Sequence, residues 1–274
     1  MTTHAHHRRP LRTTLAALTA GAAAAAVLLV APAAGAAEDS VGWLRLGHLS
    51  PDTKSVDVEV TALSGGAVEF ELEGVGYGDV SPYTELDAGT YTVSMVPSDA
   101  AEGTAPAISG TVTIDPESAN TVVAFGPSDD LEVTAISDDL SRPSDGSARI
   151  RLIQASTQTA EVDVVTSTGV PIARGAKAGD ATGYAEVPAG PWTLELDGGT
   201  VTGETSIDVA EGSVSTLFVL DTASGGLEIM TVTDSAAVGA VPEGGVDTGA
   251  GGLADADRVS PAPGVPAGAW LFGI

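Results

Sequence analysis

Residues 45–58 read RLGHLSPDTKSVDV, and residues 151–164 read RLIQASTQTAEVDV. At a constant offset of 106, Arg45, Leu46, Ser50, Val56, Asp57 and Val58 return as Arg151, Leu152, Ser156, Val162, Asp163 and Val164. The match continues at 101, where Gly78-Asp79, Tyr83, Glu85, Ala88-Gly89 and Tyr91 meet Gly179-Asp180, Tyr184, Glu186, Ala189-Gly190 and Trp192. Ile114-Asp115 meets Ile207-Asp208 at 93, and Leu131-Glu132 meets Leu227-Glu228 at 96. An internal repeat constrains a chain more tightly than its composition, because the same supersecondary unit must be built twice. The offset changes fall between the matched runs, where loops absorb insertions. Because order is kept throughout, the expectation is two consecutive units, 41–140 and 148–235. The connector 141–147, SRPSDGS, is polar and carries Pro143 and Gly146, as a boundary should. It is short enough that the two units are expected to touch.

Within each unit the apolar period is two. Tyr91, Val93 and Met95 alternate with Thr92, Ser94 and Val96, and Trp192, Leu194 and Leu196 alternate with Thr193, Glu195 and Asp197. Side chains two apart share a face of a strand, so this is a half-buried sheet and not a helix. Turn signals separate the runs at Leu63-Ser64-Gly65-Gly66, Asp87-Ala88-Gly89, Asp129-Asp130, Asp197-Gly198-Gly199 and Ser224-Gly225-Gly226. The expected fold is all-β: two tandem antiparallel β-sandwiches of seven or eight strands each, immunoglobulin-like or prealbumin-like. Aromatic residues make up only 4% of the chain, so the cores must be built from Val, Leu, Ile and Ala.

The N-terminal segment has a different logic. Residues 1–12 carry Arg8, Arg9, Arg12 and three histidines but no acid, and residues 15–31 form a long apolar run, LAALTAGAAAAAVLLVA. A basic start, an apolar run and the small residues Ala34-Gly35-Ala36 are the layout of a signal peptide over 1–36, with cleavage expected after Ala36. The general secretory route fits better than twin-arginine export, because HRRPLR is a poor match to the fuller motif. Loss of the three arginines takes the formal charge from −26 to −29. A surface so acidic repels nucleic acid and anionic lipid. With no cysteine in the chain, disulfides, thiol catalysis and thiolate metal sites are excluded.

The segment WLRLGHLSPDTKSVDVEV, residues 43–60, resembles the bacterial family called domain of unknown function 4397. The matching positions are His48, Ser50, Pro51, Asp52, Val56, Asp57 and Val58, and LDAGTYTVSM at 86–95 resembles that family's turn-and-strand segment. The second unit departs from the pattern with Gln154, Thr157 and Gln158 in place of His48, Pro51 and Asp52, but keeps the VPAG turn at 187–190. The resemblance implies two copies of a secreted or surface β-domain, in an actinobacterial-type protein. It brings no catalytic residues with it.

Candidate sites are few. His48, Ser50 and Asp52 carry the residue types of a catalytic triad, yet Pro51 interrupts the strand that would align them, and the structural reading is a Ser50-Pro51-Asp52 turn. Asp57 and Asp163 are read as solvated positions or as partners of a neighbouring loop. Asp129, Asp130, Asp138, Asp139 and Asp145 gather near the junction without calcium-loop spacing and are read as solvated turns. Tyr83, Tyr184, Tyr91 and Trp192 are matched aromatics, expected to pack the cores. No catalytic, cofactor-binding or metal residue is assigned. The tail 236–274 is rich in Gly, Ala and Pro and reads as extended. VPEGGVDTG within it loosely resembles a sortase sorting signal, with GAWLFGI, residues 268–274, too short to span a bilayer. The expected function is a non-enzymatic secreted or cell-envelope module with an unknown envelope or extracellular partner, no nucleic acid and no membrane span in the mature chain. The alternatives are an extracellular hydrolase using His48 and a calcium-stiffened spacer.

Overall fold

The computed structural model describes residues 40–101 and 103–236. The expected signal segment 1–36, and the tail from residue 237, lie outside the described residues. Among the described residues every regular element is a strand.

The first unit contains β1 (Val41–Leu49), β2 (Val56–Ala62), β3 (Val68–Val75), β4 (Thr84–Asp87), β5 (Gly89–Pro97), β6 (Ile108–Ile114), β7 (Ala119–Phe125) and β8 (Glu132–Asp138). The second contains β9 (Ser147–Gln154), β10 (Glu161–Thr166), β11 (Pro171–Lys177), β12 (Ala185–Pro188), β13 (Gly190–Asp197), β14 (Thr202–Val209), β15 (Val214–Asp221) and β16 (Leu227–Ser235). The sheets run β4-β1-β7-β8 and β3-β2-β5-β6 in the first unit, and β12-β9-β15-β16 and β11-β10-β13-β14 in the second. Two tandem sandwiches of one topology are therefore present, and no sheet mixes strands from both.

Two details refine the sequence-based expectation. The sheets are antiparallel except for one pair in each unit: β1 runs parallel to β7, and β9 to β15. Parallel neighbours need a crossover, and here the chain crosses through the opposite sheet before returning beside its first strand. The strand order is also not that of an immunoglobulin domain, where the first, second, fifth and fourth strands share a sheet. Here the first strand lies between the fourth and the seventh, which leaves the prealbumin-like alternative.

The structure also corrects one pairing of the repeats. Gly89 faces Ile114, and its counterpart Gly190 faces Val209, so Ile114 corresponds to Val209 and not to Ile207. A slip of two residues preserves the face of every side chain, so the apolar pattern alone does not detect it.

Each sandwich has its own core. Leu44, Leu46, Val58, Val60, Val93 and Val122 fill the first, and Ile150, Leu152, Val162, Val164, Leu194 and Leu217 fill the second. A third cluster joins Leu49, Val123 and Phe125 of the first unit to Ile153, Phe218 and Leu220 of the second. It lies between the two sheets that contain β1 and β9, which are therefore covered on both faces. β7 and β15 are accordingly buried along their whole length.

Candidate functional site

The junction between the sandwiches holds the most unusual chemistry among the described residues. Arg45 on β1 and Arg151 on β9 occupy equivalent places, each flanked by buried apolar residues, with residue exposures of 1% and 2%. Arg45 Nη1 donates to Asp234 of the second unit at 2.7 Å, and Arg151 Nη2 donates to Asp138 of the first. Each arginine also donates to a threonine of its own unit: Arg45 Nε to Thr121 Oγ1 at 3.1 Å, and Arg151 Nε to Thr216 Oγ1 at 2.9 Å. Those threonines donate in turn to the acids of their own units, Thr121 to Asp138 at 2.6 Å and Thr216 to Asp234 at 2.7 Å. Tyr83 and Tyr184 complete the pattern by donating their hydroxyls to Asp138 and Asp234. The guanidinium of Arg45 lies 4.6 Å from the Tyr83 ring centre, and that of Arg151 4.8 Å from the Tyr184 ring centre.

The exchange is reciprocal: what Arg45 does to the second unit, Arg151 does to the first. That is the pattern of an isologous, two-fold interface, here built within one chain. Two cations and two carboxylates are desolvated together, and each carboxylate has three donors, the condition under which buried charge is tolerable. Burial by itself pulls the Arg45 guanidinium pKa down, but Asp234, Tyr83 and Asp138 together more than reverse this, so Arg45 is raised. Burial pushes both tyrosine hydroxyls well above their ordinary range, which keeps them protonated as donors.

The apolar contacts follow the same two-fold rule. A Cβ added to Gly179 would meet the Phe125 ring at 2.5 Å, so the absence of a side chain there is what admits the ring. A Cβ added to its counterpart Gly78 would meet Leu220 at 3.8 Å, an ordinary contact. Tyr77 breaks the symmetry: its hydroxyl accepts from the Asp221 amide at 2.7 Å and donates to the Asp221 carbonyl at 3.1 Å. Burial pushes its pKa up to about 12.

The residues singled out in the sequence are distributed differently. His48 is 1% exposed, and among the described residues neither ring nitrogen makes a well-formed hydrogen bond, the Thr53 and Lys54 backbone being only loosely placed toward it. Burial lowers its pKa. Ser50 Oγ bonds Asp52 and Thr53, with no bond to His48, so the nucleophile-to-base contact of a triad is not made. Asp52 instead accepts from the amide and hydroxyl of Ser128, at 2.8 and 3.0 Å, tying the Ser50-Pro51-Asp52 turn to the β7–β8 loop. In the second unit Gln154 replaces His48 and satisfies its amide on the backbone of Ser156.

The Val-Asp-Val motif has a structural explanation. Asp57 Oδ1 accepts the amide of Gly74 at 2.8 Å, and Asp163 Oδ1 accepts that of Gly175 at 2.6 Å. Both glycines have left-handed backbones, φ 67° and 57°, where β3 and β11 bulge against their neighbours. Bulges free an amide from the ladder, and the aspartate takes it up.

The acids near the junction do not converge. Asp138 was expected in a solvated turn, but its side chain is fully buried against Arg151, because the end of β8 faces the second unit. Asp139 pairs with Arg149 at 2.6 Å and is held well below the usual carboxylate range, first by that bond and then by Ser141. Asp129, Asp130 and Asp145 are exposed. Among the described residues no three His, Asp or Glu side chains gather as a metal site. Tyr91 and Trp192 do occupy equivalent places, bonding the carbonyls of Asp87 and Pro188. Tyr83 and Tyr184 correspond as well, but they serve the junction and not the sandwich interiors. Arg45 and Arg151 were visible as repeated residues. Their signal as a buried pair was a charge set between apolar neighbours, Leu44 and Leu46 or Ile150 and Leu152, reinforced by the unbroken apolar runs Val122–Phe125 and Leu217–Leu220, which imply two covered faces.

A small cleft of ≈ 280 Å³ lies beside the junction, lined by Trp43, Glu117, Ser137, Asp139 and Ser141 among others. A second, of ≈ 610 Å³, runs along β3 past Glu71, Glu73, Asp79 and Pro82. No described helix is long and apolar enough to cross a membrane.

No curated protein matches the chain. Among solved structures, the Bacillus anthracis TIE protein is similar over 66% of this chain and 34% of its own, with 11% identity and a TM-score of 0.23. A leucine-rich repeat protein from Bacteroides thetaiotaomicron is similar over 65% of this chain and 26% of its own, with 16% identity and a TM-score of 0.20. The chain thus spans about a third and a quarter of their lengths. A fimbrial assembly protein from Parabacteroides distasonis is similar over 72% of this chain and 99% of its own, with 12% identity and a TM-score of 0.19. Likeness at these scores says nothing of function. A family model described as Domain of unknown function (DUF4397) matches residues 42–165, from β1 across the connector and into β10, and supports that family for this stretch of the chain.

Proposed function

We propose that the protein is an exported, non-enzymatic β-module in which two fused sandwiches present their outer sheets and loops to an envelope or extracellular partner. The observation that carries this reading is the reciprocal junction. Four buried charges and a shared apolar cluster hold the sandwiches in one arrangement, which suits a spacer or presenting surface better than a hinged clamp. The acidic surface and the signal-peptide layout of residues 1–36 support a place outside the cytoplasm. The non-enzymatic part rests on His48, whose ring is buried, and on Ser50, whose hydroxyl bonds Asp52 and Thr53 instead of that ring.

The test has two arms. Expressed from its own start codon in a Gram-positive host, the protein is expected in the envelope or medium with Ala37 or Glu38 first. Recovery from the cytosol with the N-terminus intact would overturn export. A screen of esters, amides and glycosides with wild type and His48→Ala is expected to show no activity that depends on His48. Any turnover abolished by that change would replace this reading with a hydrolase.

A further inference from the structure

The two repeats serve as internal controls for each other, and one place stands out. The amide of Trp43 donates to the Ser118 carbonyl as that of Arg149 does to Ser213, and the amide of Glu117 donates to Val41 as that of Gly212 does to Ser147. Trp43 therefore stands where the second unit has Arg149, and Glu117 where it has Gly212. Both 117 and 212 have left-handed backbones, with φ 58° and 77°. Glycine adopts that conformation freely, whereas an L side chain is strained in it, and Glu117 is the one non-glycine described residue that does so. Strain retained at a single place is a pointer to function when that residue also lines a cavity, and Glu117 and Trp43 line the ≈ 280 Å³ cleft together.

The charges of the lining are unequal in availability. Asp138 is taken by Arg151, and Asp139 by Arg149. Glu117 has no ion pair among the described residues and is exposed. What the cleft offers is an indole beside one unspent carboxylate, with serine hydroxyls around them, in a chain of net charge −26. An indole face and a carboxylate both attract a compact organic cation. We propose that this cleft binds an alkylammonium group, with Trp43 as the aromatic wall and Glu117 as the counter-ion. The second unit lacks such a site, since it has neither the indole nor the acid at the corresponding positions.

The proposal is independent of where the protein resides, because it is measured on purified protein, so it and the export reading can fail separately. The chain is labelled with ¹⁵N at the indoles of its three tryptophans. The Trp43 signal is assigned by its loss in Trp43→Phe. Tetramethylammonium, N-acetyl-lysine methylamide and methyl glucoside are titrated in turn. A saturable shift of the Trp43 signal by either cation, weakened about fivefold or more in Glu117→Gln, is the expected result. No shift with either cation, equal affinity in Glu117→Gln, or a shift with the glucoside alone would overturn it. Glu117→Gly supplies the control for folding. It is expected to melt no lower than wild type while losing the cation, and a clearly lower melting temperature would show that Glu117 serves the fold and not a ligand.

Discussion

Arg45 and Asp234 are 189 residues apart in sequence and 2.7 Å apart in the fold, with side-chain exposures of 1% and 0%. Their counterparts Arg151 and Asp138 make the same bond in the opposite sense. Removing one partner leaves an uncompensated buried charge. Arg45→Met or Arg151→Met is therefore expected to cost about 3–5 kcal/mol in chemical denaturation, far more than a surface ion pair such as Lys54–Asp99. The double variant Arg45→Met with Asp234→Leu should recover much of that loss. A double variant no more stable than its singles would show that the pair is not the unit of the junction.

His48 gives a pH dependence whose sign is fixed. Its folded pKa lies below the ordinary 6.5, because burial disfavours the imidazolium. The unfolded chain then binds more protons as pH falls through about 6.5, so stability is full above that value and declines below it. Denaturant midpoints of wild type should fall between pH 7 and pH 5. In His48→Gln, which imitates Gln154, that part of the fall should vanish. Parallel pH profiles for the two proteins would rule out His48 as the source.

Asp57 and Asp163 test the bulge explanation. Asp57→Ala strands the Gly74 amide and also frees Ser98, whose hydroxyl bonds the same oxygen at 2.6 Å. A loss of about 0.5–1.5 kcal/mol is expected, because the Gly74 amide is exposed to water, and Asp57→Asn, which keeps an acceptor, should lose less. A null effect on thermal unfolding would return Asp57 to the class of solvated strand residues.

Phe125 and Gly179 test the apolar half of the junction. Gly179→Ala would drive a methyl into the Phe125 ring and strain a backbone at φ 80°, so it should destabilise by more than about 1 kcal/mol. Phe125→Ala should cost about 3–5 kcal/mol. Because both lie between the sandwiches, a protease site placed at Ser144-Asp145 should leave the cut halves co-eluting in wild type and separating in Phe125→Ala. Halves that part in wild type would contradict the fused arrangement.

Much of this protein was legible in its sequence because the determining physics is local. Alternation in Tyr91–Val96 and Trp192–Asp197 specifies strands, since side-chain direction on a strand repeats every two residues. Repetition of Arg-Leu, Val-Asp-Val and Ala-Gly specifies two units of one topology. The tertiary structure decided what depends on contacts between units. Asp138 reads as a turn acid from its neighbours in sequence, and it is a buried counter-ion only because the end of β8 meets Arg151 of the other sandwich. The alignment of Ile114 with Val209 needed the ladder, because a two-residue slip leaves the pattern unchanged. Arg45 and Arg151 carried a signal, a charge between apolar neighbours, but not their partners. A pairing across the junction is set by how two covered faces meet in space, and no periodicity within either repeat encodes it.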